Sequence, residues 1–83
     1  MMATRSLADL RLGDEAILER IDLPEDEARH LMMLGFLPGH RVQVGLCAPG
    51  GDPRVYRVDG SEVALRRETA AHLATIPVAE GVR

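Results

Sequence analysis

Two glycines, bracketing Gly35-Phe36-Leu37-Pro38-Gly39, constrain the path of this chain more than any other feature. Before them, Ala28, Leu31 and Met32 recur at i, i+3, i+4, the spacing of one apolar helix face. Gly35 then falls just past the last helical residue, where a left-handed conformation costs a residue with a Cβ about 1–2 kcal/mol. Phe36 follows where a helix stop places an apolar contact back onto Leu31. Leu37-Pro38-Gly39-His40 fits a type II turn, with proline pre-setting the second position and glycine taking the positive φ of the third. Beyond it, Val42, Val44 and Leu46 alternate with Arg41, Gln43 and Gly45, the pattern of a strand with one buried face. A helix over 24–34 is thus joined to a strand over Arg41–Cys47 by a connection with little freedom.

The rest of the chain reads as short strands. Leu7 and Leu10 plug one end of a core from a turn. Glu15–Ile21 is a strand with Ile17 and Ile21 on one face and Ala16 and Leu18 on the other. Pro24 opens the helix from a first-turn position, and Glu25, Asp26 and Glu27 meet the positive end of its dipole. Residues 48–53 are too rich in proline and glycine for anything but a loop. Arg54–Val58 and Ser61–Leu65 are strands joined by Asp59-Gly60, a type I′ hairpin signal. Residues 66–73 form a short helix with Ala70 and Leu73 inward. Residues 75–78 form a closing strand that Pro77 assigns to an edge. The expectation is one mostly β domain over residues 6–78, a curled sheet or small barrel with one medium helix and a short C-terminal helix, followed by a loose tail over 79–83.

Composition excludes several functions. No apolar run is long enough to span a membrane, and the N-terminus lacks a secretion-signal core. A single cysteine, Cys47, permits no internal disulfide, which fits a reducing, cytoplasmic setting. It reads as a small buried hydrophobe. Net charge is −3, and Phe36 and Tyr56 are the only aromatics. Neither a basic field nor a stacking platform for nucleic acid is present. Lysine is absent, so Gly50-Gly51-Asp52-Pro53 is no phosphate loop. No nucleophile has a base at a telling spacing, so no enzyme is expected.

Glu27-x-x-His30 is the one metal-like spacing, with Asp26 four residues before His30. On a helix these side chains reach toward one ion, but acids in a first turn serve the dipole anyway, and two ligands make a poor site. No metal or cofactor is therefore expected, with Glu27 and His30 as weak candidates. Arg54, Arg57, Arg66 and Arg67 gather in sequence, either as a solvated strand face or as a surface for an acidic partner.

Leu34-Gly35-Phe36-Leu37-Pro38-Gly39, then Gly51-Asp52-Pro53, then Leu65-Arg66-Arg67-Glu68-Thr69-Ala70, in this order on a chain of this length, resemble the ferrous iron transport protein A (FeoA) family. The resemblance implies an SH3-like barrel with the helix inserted between its first two strands. It implies a small cytosolic accessory of bacterial ferrous iron uptake, acting on the cytoplasmic GTPase part of the FeoB permease. Two alternatives remain: a regulatory domain working with an iron-dependent repressor, whose own C-terminal part is similar, or an Fe²⁺ carrier using Glu27 and His30. Oligomeric state has no signature in the sequence. For docking on the permease the candidates are Met33 and Leu37, which the buried stripe does not need, and Arg41, which can orient an acidic partner residue.

Overall fold

A computed structural model describes residues 5–78; the expected tail over 79–83 lies outside them. The strands are β1 (Arg5–Ser6), β2 (Glu15–Ile21), β3 (Arg41–Cys47), β4 (Arg54–Val58), β5 (Ser61–Leu65) and β6 (Leu73–Pro77). A 3₁₀ turn covers Leu7–Asp9, α1 covers Glu25–Met33, and α2 covers Arg67–Ala70. The strands form one antiparallel sheet in the order β1-β6-β2-β3-β4-β5. The sheet curls around Leu7, Leu18, Phe36, Val42, Tyr56 and Leu73, all essentially inaccessible to water.

The two turns form as the sequence dictates. Gly35 has φ +112°. Its N–H donates to the Met32 carbonyl at 3.0 Å and the Phe36 N–H to the Leu31 carbonyl at 3.1 Å, so carbonyls at the helix end find partners. The His40 N–H closes the next turn on the Leu37 carbonyl, with Gly39 at φ +92°. That turn is stitched to β2: Gly39 N–H donates to the Leu18 carbonyl, and Leu18 N–H to that of His40. Asp59 and Gly60, both at positive φ, close the β4–β5 hairpin as a type I′ turn.

A hydrogen bond joins the loop before β4 to the start of α2. Asp52, in the loop before β4, accepts the Arg67 N–H at 2.9 Å and so caps α2 from fifteen residues away. Arg54 turns inward and donates to the Leu10 carbonyl. The Tyr56 hydroxyl points at the Leu7 carbonyl, 3.5 Å away. Together they bind the hairpin to the 3₁₀ turn.

Several expectations are corrected. On β3, Val42 and Val44 are buried but Leu46 is 71% exposed. Four residues from Val44 to Cys47 oppose three from Tyr56 to Arg54, so one extra residue reverses the alternation. Cys47, beyond that bulge, is exposed rather than buried. The stripe on α1 is narrower than its spacing implied: Leu31 alone is buried, Ala28 is half-buried and Met32 is 39% exposed. Pro24 caps α1 from outside its first turn. The C-terminal helix ends at Ala70, and Leu73 instead begins β6. Strand β6 is interior to the sheet, between β1 and β2. Among the described residues β1 pairs with Ala74 and Thr75 of β6 and not with Pro77. A two-residue strand, β1, was not foreseen. Thr75, buried beneath it, donates its hydroxyl to the Arg5 carbonyl at 2.9 Å.

Candidate functional site

The end of α1 carries most of the exposed large apolar side chains in the described residues. Met33 is 80% exposed, with Met32 and Leu34 beside it and both more than a third exposed. The cause is local. Leu31 anchors the helix, the left-handed Gly35 turns the chain back, and Phe36 dives into the core. The residues between the anchor and the stop project outward on successive 100° steps. A Cβ on Gly35 would meet Asp59 and Val58 only at 3.5 Å, so the requirement for glycine is conformational, not spatial.

The three docking candidates are placed differently. Met33 stands free at the helix end. Leu37 is half-buried across the Gly35 stop. Arg41, at the start of β3, is exposed and lies 3.6 Å from the Glu15 carboxylate on β2, a surface ion pair. Met32, assigned to the buried stripe, and Leu34, left unconsidered as the helix's last residue, belong to the apolar surface. Only the narrow width of the α1 contact, which no spacing rule reports, distinguishes them.

An open groove of about 410 Å³ separates α1 from the joint between β5 and α2. Leu23, Leu31 and Leu34 line its helix side, with Leu65 across from them. Asp26, Glu27 and His30 line it as well, so the metal candidates share one rim. Among the described residues no three His, Cys, Asp or Glu side chains are close enough to hold one ion. The four arginines grouped in sequence do not form one patch. Arg54 is inward, Arg57 pairs with Glu62 at 2.8 Å, and Arg66 and Arg67 flank the α2 start. The Tyr56 hydroxyl is pushed above its ordinary pKa of 10.0 by burial, with Arg54 pulling the other way. No helix of the described residues is long and apolar enough to cross a membrane.

The FeoA domain family model matches residues 5–74. A fusion protein of Porphyromonas gingivalis, joining Fe(2+) transport protein A to the Fe(2+) transporter FeoB, is 36% identical over 67 residues. That match takes in 81% of this chain but only 8% of the fusion protein, so the chain spans less than a tenth of that relative's length. The solution structure of the FeoA protein of Chlorobium tepidum is similar at a TM-score of 0.83 and 30% identity, over 93% of this chain and 75% of that one. The zinc-complexed FeoA of Stenotrophomonas maltophilia, described as a procaryotic SH3 domain protein, gives 0.73 at 32% identity, over 84% of this chain and 87% of that one. A manganese-dependent transcriptional repressor gives 0.80 at 19% identity over 94% of this chain and 44% of its own, a likeness of fold alone. The curled sheet is thus the SH3-like fold of those FeoA structures.

Proposed function

The chain belongs to the FeoA family, and on that premise we propose that it is a cytosolic accessory of ferrous iron uptake that docks on the GTPase part of a FeoB-type permease. The docking surface is the apolar end of α1: Met33 with Met32 and Leu34, Leu37 across the turn, and Arg41 at its margin. The observation that carries this reading is the 80% exposure of Met33 beside two further exposed apolar side chains. A cluster of this kind marks an interaction site more often than scattered single residues do, and methionine adapts to the surface it meets. The fusion of an FeoA part to FeoB in the Porphyromonas gingivalis relative supports the choice of partner. Arg41 gives up little on meeting a partner carboxylate, because its exposed pair with Glu15 is worth only about 0–1 kcal/mol.

Calorimetric titration of the chain with a permease GTPase domain tests this reading. Saturable binding is expected, and Met33→Glu and Leu37→Glu should weaken it while the chain stays folded. If both variants remain folded and bind as the unaltered chain does, the surface is wrongly assigned.

A further inference from the structure

Among the described residues strand β5 is an edge of the sheet and pairs only with β4. Its hairpin closes through a two-residue turn, so Val58 and Ser61 face each other as a hydrogen-bonded pair. By the alternation of an antiparallel ladder, Tyr56 with Val63 and Arg54 with Leu65 are hydrogen-bonded pairs too. Glu62 and Ala64 therefore turn their N–H and C=O groups away from β4. Neither residue has another backbone partner among the described residues.

The groove beside α1 lies along this edge. Ala64 and Leu65 are consecutive on β5, and their side chains project to opposite faces of the sheet. Both line the groove. Opposite the edge stand Leu23, Leu31 and Leu34 at the apolar side of α1, and Asp26, Glu27 and His30 line the groove with them, while Arg66 lines it from the α2 side. Asp26 accepts the Glu27 N–H, but neither carboxylate lies within ion-pair distance of a basic group among the described residues. The edge is guarded by one charged side chain, Glu62, which Arg57 draws onto β4. Edges that must stay unpaired are usually blunted by proline, bulges or inward charges, and β5 shows none of these.

We propose that this groove receives an extended peptide segment of a partner protein, which adds as a strand to β5. Glu62 and Ala64 supply the backbone hydrogen bonds, Leu23, Leu31 and Leu34 receive an apolar side chain, and Asp26 and Glu27 receive an arginine or lysine. Main-chain pairing supplies affinity in this mode of recognition, and the side-chain pocket supplies choice. The site shares Leu34 with the docking surface proposed above but not Met33, and it does not depend on the identity of the permease.

Three acetylated, amidated heptapeptides test it by amide chemical shifts of the full chain. The first alternates valine with arginine, the second has glutamate for arginine, and the third is the arginine peptide N-methylated at every second residue. The arginine peptide should shift the signals of Glu62, Ala64 and the first turn of α1. N-methylation, which removes the edge hydrogen bonds, should weaken binding about tenfold. Glutamate should weaken it about fivefold. Asp26→Arg together with Glu27→Arg should reverse the preference between the first two peptides; the peptide arms stand even if that variant fails to fold. No shift at Glu62 and Ala64 at millimolar peptide, equal binding of the N-methylated peptide, or shifts confined to the Met33 end would each overturn the proposal.

Discussion

Two of the helical elements that pack on the curled sheet, the 3₁₀ turn and α1, use their apolar residues in opposite ways. The 3₁₀ turn Leu7–Asp9 is three residues long, yet Leu7 is wholly buried and Leu10 behind it nearly so. It is held from the other side by Arg54 and by Tyr56. Helix α1 has nine residues and buries only Leu31, leaving Met32, Met33 and the following Leu34 in contact with water. A cover that only closes a core needs no such surplus. The difference separates a stabilising element from a presenting one.

Truncation should break this comparison most sharply if it is wrong. Leu7→Ala opens a cavity at a wholly buried site and should cost about 2–5 kcal/mol. Met33→Ala should stay within about 0.5 kcal/mol of the unaltered chain. Urea denaturation of the two variants measures both, and similar losses would mean that α1 covers the core as the 3₁₀ turn does.

Next in size is the stop that shapes the presenting end. Gly35→Ala should destabilise by about 1–2 kcal/mol through its positive φ. Gly35→Asn should cost less, but the gain is narrow, because φ +112° lies well beyond the left-handed basin that asparagine favours near +57°. Thermal melts of the pair decide this, and a loss from alanine no larger than at an ordinary surface site would remove the conformational argument.

A smaller effect belongs to the stabilising cover. Tyr56 is the only tyrosine, and burial raises its pKa, so the fold favours the neutral phenol. Its contribution is complete below the ordinary tyrosine value near 10 and is lost as pH rises through the folded value. Stability should therefore fall on the alkaline side, with tyrosinate absorbance appearing late. Tyr56→Phe should flatten that fall and change neutral-pH stability little, since the hydroxyl contact is long at 3.5 Å. An unchanged alkaline slope in Tyr56→Phe would assign the loss to other groups.

What the sequence disclosed follows the same division between local and distant causes. Gly35, Gly39 and Asp59-Gly60 were legible because backbone geometry demands those residues whatever surrounds them. The bulge after Val44, which exposes Leu46 and Cys47, was not legible, because it depends on how β3 registers against β4. The same holds for β6, whose interior place depends on a two-residue partner from the other end of the chain. Met33 could be read as surplus to the helix stripe. Met32 could not, since its spacing from Ala28 and Leu31 is that of a buried face. The groove was hidden because its walls lie thirty or more residues apart, around Leu23–Leu34 and Ala64–Arg66.

The smallest expected effect concerns metal. Asp26, Glu27 and His30 share a rim without forming a three-ligand cluster, so Fe²⁺ titration should show no stoichiometric site tighter than the micromolar range. A one-to-one site lost in His30→Ala would restore the carrier alternative.

Labelling methionine methyl groups with carbon-13 and titrating in a permease GTPase domain shows whether the end of α1 presents rather than covers. The Met33 methyl signal should shift or broaden first, with Met32 following, while signals from the 3₁₀ turn and Tyr56 stay in place. A complex that forms with both methionine signals unmoved would contradict it.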